Sequence, residues 1–463
     1  MLGKKFEFIF RKKTQKIDRN VSYKRTLGLY DITAIGLSCS LNGIFIMIGE
    51  SIKYESGPSI AISFILAAVA CILSGLCFCE LSSKIQNSGA AYSYMYVTMG
   101  EFLAFCIGWN YIFQYVIAVS SDARALSQNI DSLVNNKISN LSVTYLELNI
   151  PGLSKFPDVL SILIILIIST FLLFDIKESS FVNKSINVAD INNWKLTPLT
   201  SNKTKTNDTI INAGGFMPFG CRGIFESTSK CFYAFIGFDA IASTCEESKN
   251  PERDVPKAII LTILILSFIY IILSIVLTLM EPYFLINEFT PFSSTFEYAY
   301  PDFVYNEVNI FKVLIILNIL LSIVVSIYGE IYVVSRIIST MAHDGLIFKN
   351  LSKLSEKFRS PIYAIMLASV VSGIFAVFIE IMELIDLLAM GALSAYCVVS
   401  ICLVLLRYKP SDLNESISFE DESIQSVDWS VKHFINESFY PSTIFPNSMS
   451  IRIINVLTTS SGK

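Results

Sequence analysis

The residues best placed to do chemistry lie in two apolar runs far apart in the chain. The first reads Asp31-Ile-Thr-Ala-Ile-Gly36-Leu-Ser38-Cys39-Ser40-Leu41-Asn42-Gly43-Ile-Phe-Ile-Met-Ile-Gly49-Glu50. Glycine and asparagine weaken a helix. Where a membrane-spanning helix breaks, freed backbone N–H groups face a cavity and the half-helix N-terminus attracts an anion such as a carboxylate. Close packing of helices through small residues explains the same composition without a site. The second run, Tyr233-Ala-Phe235-Ile236-Gly237-Phe238-Asp239-Ala-Ile-Ala-Ser243, sets a glycine among aromatics and an acid at membrane depth. A charge there is costly and faces a cavity or a partner. Asp239 therefore either faces a solute pathway, which is the expectation, or satisfies a neighbouring helix. Two interrupted segments in separate halves of a chain point to the central site of a transporter.

Other ionisable residues fall inside apolar runs: Glu101, Arg124, Glu330 and Asp386. Glu101 and Arg124 lie toward opposite ends of one long segment. Each either pairs with a neighbour or sits at the interface and snorkels. Glu330, near the end of its span, is expected at the interface. Trp109 is expected to pack within a helix rather than hold a cofactor.

Several chemistries are excluded. The ten cysteines fall mostly in apolar runs without zinc spacing and read as small packing residues. The two histidines, His343 and His433, stand outside those runs, against an intramembrane metalloprotease or a histidine-based hydrolase. No glycine-rich phosphate loop with its lysine occurs, against ATP-driven pumping. No enzyme activity, cofactor or metal is expected.

The elements that must position these residues are membrane helices. The chain has 463 residues, 53% hydrophobic and 16% charged, against roughly 25% charged in soluble domains. Its mean hydropathy is +0.56. Such a chain has too little polar surface for a water-soluble globule, and lipid is its main solvent. Residues 1–29 carry nine Lys/Arg against Glu7 and Asp18. Ahead of an apolar span, this basic arm reads as a cytoplasmic anchor lying on anionic lipid, not as a nucleic-acid site.

Nine apolar segments are candidates for spans: 30–52, 60–79, 91–119, 157–174, 224–244, 258–279, 311–335, 361–379 and 384–406. Loop charges orient them. The acidic 280–309 loop reads as outside. The basic 249–257 and 336–360 loops and the tail after Arg407 read as inside. Both chain ends are then cytoplasmic, which nine crossings do not allow. The segment 224–244, which carries Glu226, Lys230 and Asp239, is the expected misfit in the bilayer, and 175–222 the region of mixed sidedness. The sequons at Asn140, Asn183, Asn202 and Asn207 bear on this, because glycan acceptors act only in the lumen. Asn140, Asn202 and Asn207 are the candidate glycosylation sites.

From about residue 25 to 410 the chain resembles the cationic amino acid transporter subfamily of the amino acid–polyamine–organocation superfamily. The motifs are Arg25-Thr-Leu-Gly-Leu-Tyr-Asp31, Gly49-Glu50, Gly57-Pro58-Ser59, Ser88-Gly-Ala-Ala-Tyr92-Ser-Tyr94, Gly108-Trp109-Asn110, Ala123-Arg124-Ala125, Gly214-Gly-Phe-Met-Pro-Phe-Gly220, Cys231-Phe-Tyr-Ala-Phe-Ile-Gly-Phe-Asp239 and Asp344-Gly345-Leu346. The resemblance implies an all-α polytopic membrane protein with a LeuT-type core of two inverted five-helix repeats. It implies sodium-independent transport of arginine, lysine and ornithine across the plasma membrane. It places the substrate carboxylate at Ser38, Cys39, Ser40, Leu41, Asn42 and Gly43, and the substrate amino group at Phe235, Ile236, Gly237, Phe238 and Asp239. Glu101, Arg124 and Arg336 are the candidate coupling or structural charges.

Three departures from the family pattern stand out. The Ser38–Gly43 run is one residue shorter, with glycines lost, and one residue rotates a helix by about 100°. Between Glu178 and Trp194 the family's fifth helix gives way to a short polar stretch. The sequence ends where a further helix of the family would begin. The expected organisation is a basic arm (1–29), first-repeat helices (30–176), a polar loop for the fifth helix (177–222), second-repeat helices (223–406) and a cytoplasmic tail (407–463). Function reads as amino acid transport by alternating access, or, from the departures, as an inactive membrane paralogue serving as assembly partner or receptor.

Overall fold

A computed structural model of the chain describes residues 25–134, 137–146, 153–154, 156–172, 191–194, 215–299, 304–305, 308–355 and 360–408. Residues 1–24, most of the polar loop with Asn183, Asn202 and Asn207, and the tail 409–463 lie outside that set.

The described chain is a helical bundle. Its helices are α1 (Leu29–Ser40), α2 (Gly43–Ser51), α3 (Ile60–Lys84), α4 (Ala91–Thr98), α5 (Glu101–Leu133), α6 (Lys137–Leu146) and α7 (Val159–Leu172). After the polar loop come α8 (Gly220–Phe235), α9 (Ala240–Ser243), α10 (Pro251–Met280), α11 (Pro291–Ala299), α12 (Ile310–His343), α13 (Ile362–Phe378) and α14 (Ile381–Arg407). A two-residue antiparallel hairpin pairs Val304 with Asn309 and Tyr305 with Val308 ahead of α12. Leu29–Lys84, Glu101–Leu133, Pro251–Met280, Lys312–His343 and Ile381–Arg407 are long and apolar enough to cross a membrane. Val159–Thr170 and Ile362–Phe378 are shorter apolar helices.

The sequence accounts for these elements. Asp31 in the first turn of α1 accepts the Gly28 N–H at 2.9 Å, closing the helix start. Uncharged stretches of α3 and α10 pack along each other. Large apolar side chains such as Leu73, Phe268 and Met390 remain 62–68% exposed, a surface that lipid covers. Inside, Phe64, Phe235 and Tyr270 form one aromatic cluster. Phe78, Phe238 and Tyr396 form another.

One expectation about the spans needs correction. The run read as one segment over 91–119 is two helices, because Gly100 adopts φ +118° between them. The second of these, α5, continues to Leu133. The polar segment 224–244 is not among the described helices long and apolar enough to cross a membrane; it forms α8, packed against α3 and α2, and α9, packed against α1, α10 and α12. Its charges are answered there: Lys230 pairs with Glu50 at 3.0 Å and Glu55 at 2.7 Å, while Glu226 pairs with exposed Arg222.

Of the disputed fifth-helix region, Ile191–Trp194 forms a single 3₁₀ turn against α10. Asn193 Nδ2 donates to the Leu279 carbonyl at 2.6 Å, and Trp194 Nε1 donates to Thr278 Oγ1 at 3.2 Å.

Candidate functional site

The two glycine-bearing runs both interrupt helices, and the interruptions meet. Between α1 and α2, Leu41 and Asn42 leave the regular helix while keeping right-handed dihedrals, φ −61°, ψ −29° and φ −73°, ψ −23°. Between α8 and α9 the chain unwinds. Ile236 turns to the extended region at ψ 133°, and Gly237 takes φ +124°. A Cβ on Gly237 would lie 2.8 Å from the Cys39 carbonyl oxygen, and one on Gly43 would lie 2.7 Å from Ala234 Cα. Each interruption thus uses a glycine to let the other's backbone approach. Tyr270 on α10 ties them together. Its hydroxyl lies 2.6 Å from the Ser40 carbonyl and 2.8 Å from that of Ala234, and donates its one proton to either.

A small cavity of about 20 Å³ lies at this junction, room for about one water-sized group. Cys39, Ser40, Asn42 and Gly43 line it from the first interruption, and Ile236 and Gly237 from the second. Ser38, Leu41, Phe235, Phe238 and Asp239 stand outside the lining. The Ser38 hydroxyl bonds back to the Ile35 carbonyl at 2.8 Å, and the two phenylalanines belong to the aromatic clusters. Asp239 is fully buried and engaged: the Gly237 N–H and the Tyr396 hydroxyl both donate to it at 3.2 Å, and Gln114 Nε2 contacts it at 3.4 Å. That is the arrangement in which the acid satisfies neighbouring helices.

The remaining polar lining comes from Tyr233 and from Tyr115, Gln114, Asp122 and Glu330, which the sequence did not single out or placed elsewhere. Gln114 and Asp122 project from α5 and are 1% exposed. Asn42 Nδ2 donates to Asp122 Oδ1 at 2.5 Å. Glu330 from α12 completes the set at 5% exposure. This corrects its expected interfacial position: α12 packs along α5 on that side, so the face is interior. Ser326, one turn before Glu330, sits beside both carboxylates. No Lys, Arg or His lines the cavity. Asp122 escaped notice because its apolar segment was read to end at 119, just short of it. Gln114 carried a signal, an amide at membrane depth.

The other candidate charges lie at the two ends of the bundle. Arg336 stacks on the Tyr332 ring at 3.4 Å and pairs with Glu247 at 3.0 Å, just beyond α9. The Glu247 carbonyl also accepts the Thr26 and Leu27 N–H groups at 3.0 Å, which ties the start of α1 to the end of the second interruption. Next to it Ser88 N–H donates to Glu246, and the Tyr92 hydroxyl to Asp344. At the other end, Arg124 donates to Ser154 and to the Ile379 carbonyl and lies 3.9 Å from Asp158. Burial pushes the Asp158 carboxyl above its ordinary range, although Ser127 and Arg124 act against the shift. Arg124 and exposed Asn140 both line a wide vestibule of about 620 Å³. Glu101 caps no site. It stands half-buried at the start of α5, where the helix dipole favours an acid, and accepts the Tyr96 hydroxyl at 3.3 Å. No group of three or more metal-ligating side chains occurs among the described residues.

Residues 27–454 match the amino acid permease family. The chain is 31% identical over 404 residues to cationic amino acid transporter 4 of Mus musculus, covering 86% of this chain and 62% of that protein. It is 30% identical over 409 residues to the vacuolar cationic amino acid transporter 4 of Arabidopsis thaliana, covering 86% and 67%. It is 33% identical over 416 residues to the methylthioribose transporter of Bacillus subtilis (strain 168), covering 88% and 87%. The chain thus spans about three fifths of the length of the mouse relative.

Proposed function

The chain belongs to the amino acid permease family, an integral-membrane family whose membership implies the LeuT-type transporter fold, and from that premise we propose that it carries cationic amino acids (arginine, lysine or ornithine) by alternating access around its two interrupted helices. The observation that carries this reading is the charge of the central cavity. Two buried acids, Asp122 and Glu330, line it, Asp239 lies beside it, and no basic side chain faces it. A buried acidic cavity selects a cation. Relatives named for cationic amino acids support the class, while the methylthioribose relative marks how far solutes diverge among similar chains. A cytoplasmic N-terminus is supported by the positive-inside distribution, and the plasma membrane by the resemblance to cationic amino acid transporters. The vacuolar relative makes an internal membrane the competing location. Glycosylation at Asn140 belongs to the same reading.

Radiolabelled arginine uptake in transport-null cells tests it. Uptake above the empty-vector level is expected, and vector-level uptake with the protein confirmed at the cell surface would end the transport reading. One observation favours a silent paralogue or assembly partner instead: Leu41 and Asn42 keep helical dihedrals where an unwound turn would meet substrate. Supplying the fifth helix of a complete relative separates the two. Restored uptake assigns inactivity to the missing helix, and continued silence assigns it to 38–43 as well.

A further inference from the structure

The turn that follows α12 is fixed at both ends and holds an apolar and two basic side chains outward. α12 stops at His343, and Gly345 just beyond it takes φ +84°. The Leu346 N–H then returns to the Met341 carbonyl at 3.0 Å and the Gly345 N–H to the Ala342 carbonyl at 3.2 Å, a helix end closed by glycine. Leu346 and Ile347 are half-buried, and a 3₁₀ turn over Lys349–Ser352 packs on α12 and α13. The Leu351 N–H donates to the Phe348 carbonyl at 3.0 Å, and the Ser355 N–H to that of Ser360 at 3.0 Å, which joins the turn to the start of α13. On this frame Phe348 is 83% exposed, and Lys349 and Lys353 are exposed beside it. Asp344, just past α12, is engaged elsewhere: it accepts the Tyr92 hydroxyl at 2.8 Å and lies 3.9 Å from His343.

A phenylalanine held out by a fixed turn forgoes the gain from burial if water surrounds it. The length of α13 indicates another medium. Its 17 residues span roughly 26 Å at 1.5 Å per residue, less than the ~30 Å of a bilayer's hydrocarbon core. A helix that short starts at the level of the lipid headgroups. Tyr363 and Met366 in its first turns are 57% and 55% exposed, as a lipid-facing start requires. The turn joined to that start therefore stands at the membrane interface, where aromatic rings collect. Lysines at that level meet headgroup anions. Lys357 and Arg359 continue the basic run in the sequence, against Glu356 alone.

We propose that the turn from Phe348 to Lys353 is a docking surface for anionic lipid, with Phe348 entering the acyl boundary and Lys349 and Lys353 holding headgroup phosphate and carboxylate. This surface is separate from the basic arm at 1–29 and independent of the solute the chain carries.

The full chain carrying Phe348→Trp, purified into nanodiscs, tests it by fluorescence read against the wild-type chain. The probes are phosphatidylcholine and phosphatidylserine, each brominated on its acyl chains. Both are expected to quench the emission that Phe348→Trp adds. Phosphatidylserine should do so at a mole fraction at least about fivefold lower, the factor that one lysine contributes beside an anionic surface. Adding Lys349→Gln and Lys353→Gln should bring the two lipids to parity while quenching persists, and salt should narrow the difference in the parent. Both lysines are exposed, so thermal unfolding of this variant should match the parent. The Phe348→Trp panel decides the matter even where it does not. Absence of quenching by either lipid puts Phe348 in water and overturns the proposal. Equal quenching by the two overturns it as well, because the turn then anchors without choosing a headgroup. A phosphatidylserine preference that survives both lysine changes overturns the assignment to this turn and gives it to the basic arm.

Discussion

The two helix interruptions sit against each other in space but are built differently. At the first, Leu41 and Asn42 hold right-handed dihedrals, so the helix is cut without being unwound. At the second, Gly237 reaches φ +124° and the chain opens fully. Glycine visits that region freely, whereas a residue with a Cβ pays about 1–2 kcal/mol. The resemblance to family members with a glycine-rich first run sharpens the contrast, because this chain has Leu41 and Asn42 where flexibility would be needed. The first interruption therefore acts as a fixed wall whose polar groups serve the protein, through Asn42 on Asp122. The second provides the conformational freedom. Of the two breaks, the α8–α9 side is the one whose turn depends on a glycine's conformational range.

The largest expected effect comes from removing that pliability. Gly237→Ala adds left-handed strain of about 1–2 kcal/mol and overpacking of about 1–3 kcal/mol against Ser40 Oγ and the Cys39 carbonyl, which lie 2.6 and 2.8 Å from the new Cβ. Thermal unfolding in detergent should register a loss of about 3 kcal/mol. An unchanged midpoint would mean that the turn at 237 is not held as described, and the contrast with 41–42 would collapse.

A smaller loss is expected at the stiff side. Asn42→Ala takes a charge-assisted hydrogen bond from buried Asp122, worth about 2 kcal/mol. The informative measurement is a pair of variants. Asn42→Gly removes the same bond and adds backbone freedom, so it should be at least as unstable as Asn42→Ala. A more stable Asn42→Gly would show that the first interruption is strained toward unwinding after all.

Tyr270→Phe probes the link between the two. Its hydroxyl serves only one carbonyl at a time, so the loss should be about 1 kcal/mol, the worth of one neutral hydrogen bond. A double-mutant cycle with Gly237→Ala reads whether the breaks move together. Additive effects within about 0.5 kcal/mol would make them independent.

Both interruptions could be found from the chain because glycine, asparagine and acid inside an apolar run are costly wherever they fall. The acids that make the cavity were harder to see. Asp122 lay beyond the point where hydropathy closed the third segment, yet α5 carries it as helix to Leu133. Glu330 stood near the end of a span read as 311–335, but α12 runs on to His343, which moves the acid well inside. Hydropathy windows average over the very residues that mark a polar centre, and so trim spans where polar groups begin. Lys230 shows the same limit from the other side. It counted against 224–244 as a span, while Glu50 and Glu55, 180 and 175 residues away along the chain, answer its charge.

What the sequence determined alone is local and compositional. An excess of apolar residues in runs longer than a bilayer requires helices in lipid, and basic clusters between them bias their orientation. Glycine and polar residues within the runs mark where those helices fail. What only the tertiary structure decided is which faces meet. Asn42 finds Asp122 eighty positions away, and Tyr270 reaches back 230 positions to Ser40. Whether Asp239, Asp122 and Glu330 are exposed, paired or left with open acceptors depends on helix rotation and on packing between distant segments. Periodicity along a single helix says that a polar side chain must find a partner. The partner's identity is set by the neighbour against which that face is pressed.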